Sequence, residues 1–246
     1  MKLVLLGTTG YHPNDRRQTP CLLLPECGVM LDAGTAVYRA GRYLQTSYLD
    51  VFLTHAHLDH VVGLTYLFNV AWVHALKRIR IFGLPEKLAA VERHLFAPAL
   101  FPAKPPWPLV PLEGEVALEH SGRLRHFPLV HQGGSIGFRL DWPGHSMAYV
   151  TDTTAAPDAP YLKEIRGVDL LVHECYFADD QAAWAEKTGH SHTSAVARAA
   201  RQAGVRRLVL VHLNPLSVDA DPIGLDVARA IFPRTDLGED FMELEF

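Results

Sequence analysis

Thr54-His55-Ala56-His57-Leu58-Asp59-His60 follows directly on the apolar run Val51-Phe52-Leu53. Three histidines and an aspartate within six positions offer four metal-binding groups on one short loop. No packing demand calls for that density of imidazole, whereas zinc and similar divalent metals prefer nitrogen and carboxylate oxygen donors. His55 and His57, two residues apart in an extended loop, can point together at one ion. Asp59 and His60, opening the helix expected over Val61–Leu67, can turn toward a second. The plainer alternative is a loop of solvent-facing histidines, and the spacing speaks against it.

Working outward, three further donors sit where a strand-like run stops. His131 ends Arg125-His126-Phe127-Pro128-Leu129-Val130, Asp152 ends Ser146-Met147-Ala148-Tyr149-Val150-Thr151, and His212 ends Arg207-Leu208-Val209-Leu210-Val211. Loops at the ends of rigid elements are where chemistry is carried. Each residue alone is a weak signal, because a lone strand-end histidine is commonly a polar cap. The histidine-rich string and its placement, however, resemble the first metal motif of the metallo-β-lactamase fold superfamily. That resemblance implies a later strand-end His, then an Asp, then a final His, in the order found here.

The same resemblance implies a ligand set. His55, His57 and His131 would hold one ion, Asp59, His60 and His212 a second, and Asp152 would bridge the pair. A shared carboxylate and a shared hydroxide offset the repulsion between neighbouring cations, and metal-bound water can have its pKa lowered to roughly 7. This describes a hydrolase with two divalent ions. Zinc suits the donors, and manganese or iron would also accept them.

Composition fits an enzyme domain. A chain of 246 residues with 48% apolar content can bury a substantial core, and this length is compatible with a single domain over residues 1–246. A net charge of −4 argues against a nonspecific nucleic-acid coat. Three cysteines, Cys21, Cys27 and Cys175, show no CxxC spacing, so a disulfide scaffold is not expected. The opening Met1-Lys2-Leu3-Val4-Leu5-Leu6-Gly7 stops at Gly7-Thr8-Thr9-Gly10, short of a signal-peptide core, and no segment is long enough to cross a bilayer. A reducing, cytoplasmic setting is expected.

Lys2–Leu6, Cys21–Leu24, Gly28–Leu31, Asp50–Leu53 and Ile79–Phe82 read as strands, with Asp32-Ala33-Gly34 as a turn and Pro85–Leu95 as a helix. Strands are expected again over Arg123–Val130, Ile136–Asp141, Ser146–Val150, Val168–Val172 and Arg207–Val211. Helices are expected over Asp180–Thr188, Thr193–Ala203 (stopped by Gly204) and Ile223–Phe232, before a closing stretch at Phe241–Phe246. Strands in hairpin order, then alternating with helices, suggest an α/β fold, a four-layer αββα sandwich. Ala97–Gly114 holds six prolines with Phe101 and Trp107 among them and reads as a stiff loop. It is either a surface excursion or a lid or dimer contact.

Within the superfamily, Leu6-Gly7-Thr8-Thr9-Gly10 with Arg16-Arg17-Gln18-Thr19-Pro20-Cys21 is similar to the ribonuclease Z-related phosphodiesterases. So are His173-Glu174-Cys175 and Gly189-His190-Ser191-His192-Thr193-Ser194-Ala195, and the closing Phe241–Phe246. This likeness implies a hydrogen-bonded Glu–His pair near the leaving group, matched here by Glu174 and His192, with His190 as the competing alignment. A carboxylate keeps an imidazole protonated more readily, so the histidine could donate to the leaving oxygen. Asp59 would both ligate and orient the attacking hydroxide, and His173 is left a structural role. The family's tRNA-processing members carry a tRNA-gripping arm between the positions of His131 and Asp152, and here that interval is too short to hold one. Small phosphodiesters, such as cyclic nucleotides, cyclic sugar phosphates or short oligonucleotides, are therefore the expected substrates, with Arg16 and Arg17 as phosphate contacts if their loop reaches the site. The family also implies a homodimer. Two other classes stay open: a thioester or small-ester hydrolase of the glyoxalase II-like type, which would not need the Glu–His pair, and a noncatalytic metal-containing binding protein.

Overall fold

The computed structural model describes residues 1–217 and 219–246, which fall into two compact units. The first comprises Met1–Gly114 with Asp240–Glu245, and the second Glu115–Glu239 with Phe246.

The first unit is built on β1 (Lys2–Gly7), β2 (Cys21–Leu24), β3 (Val29–Leu31), β4 (Tyr48–Phe52), β5 (Arg78–Gly83) and β6 (Leu109–Pro111), closed by the C-terminal strand Glu243–Glu245. The sheet order is C-terminal strand, β1, β2, β3, β4, β5, β6. Pairing is antiparallel up to β3 and parallel from β3 to β6. Strands buried on both faces read as continuous apolar runs, and β2, β3 and most of β1 and β4 do so. Leu6, Met30, Val51 and Leu53 form a core with Val37, Leu64, Leu67 and Leu88. Those last residues come from a 3₁₀ segment (Thr35–Arg42), the turns after Leu58, α2 (Leu67–Val73) and α3 (Pro85–Ala90), α1 being Leu58–Val61.

The second unit repeats the plan, antiparallel strands first and parallel ones after. β7 (Val116–Leu118), β8 (Gly122–Leu129), β9 (Ser135–Trp142) and β10 (His145–Val150) pair antiparallel. β10, β11 (Leu170–Glu174), β12 (Arg207–Val211) and β13 (Thr235–Leu237) then pair parallel. α4 (Ala182–Thr188), α5 (Thr193–Ala203) and α6 (Leu225–Ile231) complete it. α5 buries Val196, Ala197, Ala200 and Ala203 against Leu171, Leu208 and Leu210 of the sheet. Gly189 and Gly204 end α4 and α5 in the left-handed conformation, as a helix C-terminus favours.

Two expectations change. Ala97–Gly114 is not wholly loop: Leu109–Pro111 pairs parallel with β5, and the pairing continues at each end through the Pro108 carbonyl and the Leu112 amide. Asp32-Ala33-Gly34 leads straight into the Thr35–Arg42 helix. Both sheets place their site residues by the same rule. β1, β3, β4 and β5 run one way in the first unit, and β8, β10, β11 and β12 run one way in the second, so each set of carboxyl ends lies along one edge. Open parallel sheets bind ligands at that edge.

Candidate metal centre

In the first unit, Asp32 directly follows β3, and Thr54-His55 follow β4 after Leu53. Asp32 has φ +57 and no exposure, and its carboxylate is fully used. Oδ1 accepts the Thr54 N–H at 2.8 Å and the Thr54 hydroxyl at 2.9 Å, and Oδ2 lies 2.8 Å from His60 Nδ1. An imidazole held at Nδ1 by a carboxylate presents Nε2 for a metal, the usual outer support of a ligand histidine. The Thr54 hydroxyl also sits 3.0 Å from His55 Nδ1, which leaves His55 Nε2 as its outward donor. The rings of His55 and His57 lie 4.4 Å apart and those of His55 and His60 4.2 Å apart. Asp59 Oδ2 is 3.3 Å from His60 Nε2 and accepts the Tyr11 N–H at 2.8 Å. His57, Asp59 and His60 thus share one turn, with His57 in extended conformation just before α1. Gly63 lets this turn seat closely, since a Cβ there would lie 2.0 Å from the Gly34 carbonyl oxygen.

In the second unit the adjacent ends of β10, β11 and β12 supply Asp152, Glu174 and His212, and β8 supplies His131. Asp152 (φ +48) and His212 (φ +56) repeat the left-handed strand end of Asp32. Such a conformation is uncommon outside glycine, though Asp and His tolerate it better than most, and it swings the side chain off the sheet edge. The two oxygens of Asp152 face different imidazoles: Oδ2 is 3.3 Å from His131 Nε2 and Oδ1 is 3.1 Å from His212 Nε2. Thr151 donates its hydroxyl to Oδ1 at 2.7 Å. His131 Nδ1 lies 3.1 Å from the Gly189 carbonyl oxygen. Burial pushes the His131 ring below the usual imidazole range, although Asp152 opposes it, so its neutral, metal-binding form is favoured.

Glu174 is fully buried at the end of β11. Its carboxylate accepts the Thr153 N–H at 2.7 Å and the Ser191 N–H at 3.1 Å, and it lies 3.1 Å from His190 Nδ1. His190, not His192, is therefore the partner of Glu174. The expected Glu174–His192 pair does not form. His192 Nδ1 instead lies 2.7 Å from Asp179, and Asp179 also accepts the Ser194 N–H at 2.8 Å and the Ser194 hydroxyl. His192 thus belongs to the capping of α5. His190 stacks on Tyr176 at 4.6 Å, and a donor atom of it lies within 4.8 Å of donor atoms of Asp152 and His212. His173 is held inside the unit, Nδ1 2.7 Å from the Glu174 carbonyl oxygen and Nε2 2.9 Å from the Tyr161 hydroxyl. Burial, the largest influence, pushes this ring too below the usual range. Arg17 is buried and donates to the Thr8 hydroxyl at 2.8 Å, a bracing role within its own loop rather than a surface for phosphate, while Arg16 is exposed.

Sequence reasoning missed Asp32. Its signal was present: an aspartate directly after an apolar strand, the same placement that marked Asp152. Each unit offers imidazole nitrogens and carboxylate oxygens, with His55, His60, Asp152 and His212 buried and His57 exposed, and this donor chemistry fits a borderline divalent cation such as zinc. Among the described residues no helix is long and apolar enough to cross a membrane, and the three cysteines are buried thiols outside any disulfide.

Comparison with known proteins agrees with this chemistry. The ribonuclease Z of Synechococcus sp. (strain CC9605) is 41% identical over 107 residues, a match covering 42% of this chain and only 33% of that protein. The match therefore spans about a third of the relative's length. The ribonuclease Z of Archaeoglobus fulgidus is 26% identical over 301 aligned positions, covering 99% of this chain and 97% of that protein. Among solved structures, the metallo-β-lactamase fold protein YhfI from Bacillus subtilis has a TM-score of 0.81 at 20% identity, covering 100% of this chain and 99% of that one. A diphosphatase of the PhnP family has a TM-score of 0.75 at 18% identity, covering 100% and 97%. These likenesses bear out the α/β metallo-β-lactamase sandwich, two mixed sheets flanked by helices. The beta-lactamase superfamily domain matches residues 29–213, from the strand before Asp32 to just past His212, and this chain belongs to that family.

Proposed function

We propose that the chain is a metal-dependent hydrolase acting on phosphodiesters, its residues 1–246 working as one catalytic domain. The observation that carries this is Asp152, whose two oxygens face the Nε2 atoms of His131 and His212 at 3.3 and 3.1 Å. A carboxylate facing two imidazoles in this way supports a site for two cations. In this reading His55, His57 and His131 would hold one ion, Asp59, His60 and His212 would hold the other, and Asp152 would serve both. Bound divalent ions, zinc being the best fit and manganese or iron also accepted, would supply Lewis acidity and an ionised water near neutral pH.

The chain's own residues do the rest. Asp59, fixed by the Tyr11 N–H, accepts a hydrogen bond from the attacking water and aims it. An alkoxide leaves a phosphodiester poorly unless it is protonated, and His190 is the proton donor this reading assigns. Its Nδ1 faces Glu174, so Nε2 is the atom that delivers the proton in this reading. Glu174 is in turn locked by two backbone amides, which fixes the imidazole's orientation.

Substrate size follows from what lies between His131 and Asp152. A turn, β9, the Pro143-Gly144 connection and β10 account for that interval, and no arm is inserted. The alignment with the Archaeoglobus enzyme runs over 301 positions against 246 residues here, so that relative has residues without a counterpart in this chain. Small or nucleotide phosphodiesters and short oligonucleotides suit this better than a folded RNA. Assaying the zinc-loaded protein on bis-p-nitrophenyl phosphate, nitrocefin and a glutathione thioester tests the class. Turnover of the phosphodiester is expected, and turnover of the thioester alone would overturn it.

A further inference from the structure

Tyr11 combines three properties that seldom coincide. Its ring is 74% exposed. Its backbone is left-handed (φ +61), which is unusual for a bulky side chain. Its N–H is spent on Asp59 Oδ2 at 2.8 Å, which ties the residue to a member of the candidate ligand loop. Loops that merely cross solvent have no need to hold an aromatic ring in a strained conformation beside a candidate ligand carboxylate, and strain of this kind gathers at ligand clamps.

The neighbourhood extends the same surface. Leu58, between His57 and Asp59, is 70% exposed. His12 supports one edge of the Tyr11 ring, with centroids 5.2 Å apart and planes inclined at 61°, and His12 Nδ1 is itself placed 2.9 Å from the Pro13 carbonyl oxygen. The ring is thus fixed from behind and open in front. An open aromatic face suits a flat, weakly polar group. A bare alkyl or sugar ester would gain little from it.

We propose that Tyr11 is a stacking platform for a nucleobase carried on the substrate's phosphate, so that the chain prefers nucleotide-type phosphodiesters over simple alkyl ones. This rests on the phosphodiesterase reading above. Base–aromatic stacking tolerates any base, since every base has a π-face, and its loss on alanine substitution corresponds to roughly tenfold or more in affinity.

The test uses zinc-loaded wild type, Tyr11→Ala and Tyr11→Phe on two esters with the same leaving group, thymidine 5′-(p-nitrophenyl phosphate) and methyl p-nitrophenyl phosphate. Binding of thymidine 5′-monophosphate is measured separately by calorimetry. Tyr11→Ala should raise KM for the nucleoside ester about tenfold more than for the methyl ester, with kcat moving far less, and should weaken thymidine monophosphate binding by a similar factor. Tyr11→Phe should restore both. Equal effects on the two esters, or a fall in kcat with loss of metal, would mean that Tyr11 only braces Asp59, and the proposal would fail. If wild type cleaves neither ester, the phosphodiesterase reading is what falls. The calorimetry then still decides: no nucleotide binding, or binding that Tyr11→Ala leaves intact, overturns the platform.

Discussion

Replacing His190 by alanine separates a catalytic role from a structural one. The side chain is 14% exposed, with one hydrogen bond at 3.1 Å to Glu174 and a stacking contact at 4.6 Å with Tyr176. Its removal does not orphan Glu174, which keeps the Thr153 amide at 2.7 Å and the Ser191 amide at 3.1 Å. The stability cost should therefore be that of a hydrogen bond to a charged group, about 1.5–3 kcal/mol. Loss of a positioned general acid costs about 10²–10⁴ in rate, or about 3–5 kcal/mol of barrier. The catalytic effect should thus exceed the stability effect. It should also depend on the leaving group. Steady-state kinetics with a p-nitrophenyl ester, which needs little protonation, should show a much smaller loss than with an alkyl ester of the same phosphate. His192→Ala serves as the comparison: it gives up the Asp179 contact at 2.7 Å, so about 1 kcal/mol of stability should go while the rate stays within a few-fold. An equal rate loss for both leaving groups, or a rate loss in His192→Ala greater than in His190→Ala, would refute the assignment of the proton donor.

Two further outcomes follow from groups that never meet substrate. Asp32→Ala removes the acceptor of Thr54 and His60, so zinc affinity, measured by competition with a chelator, should fall about 10–100-fold; unchanged affinity would show that His60 needs no such support. Asp179→Ala should lower stability in urea by about 1–2 kcal/mol, because the N-terminal amide of Ser194 in α5 loses its acceptor. Burial pushes the Asp179 carboxyl up, yet hydrogen bonds from Ser194 and His192 outweigh it and hold the group below its ordinary 3.8. A depressed carboxylate contributes stability above its unfolded value and loses it as pH falls through the folded one. The gap between wild type and variant should therefore close as the pH drops below 3.8, and a gap that persists in acid would contradict this.

How much could be read from the chain alone depended on where the information lay. The candidate donors of Thr54–His60 sit in one heptapeptide, whereas His131, Asp152 and His212 each follow a strand-like run, a weak signal singly that the family resemblance put in order. The strands of the first hairpins were legible because β2 and β3 are short unbroken apolar runs. Leu109–Pro111 was not, since prolines mask a strand whose pairing is supplied by β5, and Thr235–Leu237 is likewise too short to announce itself. The choice between His190 and His192 was beyond local reading for a different reason. Both follow Gly189 within three residues and offer the same chemistry, and what separates them is Asp179, which draws His192 into the cap of α5. Asp32 looked like a turn residue because its partners, Thr54 and His60, lie 22 and 28 residues on.

The paired-cation centre is tested most directly by counting metal. Elemental analysis of protein saturated with zinc and freed of excess should give two ions per chain, falling to one or none in Asp152→Ala. A wild-type count of one or zero, or a count of two that Asp152→Ala leaves unchanged, would contradict the account.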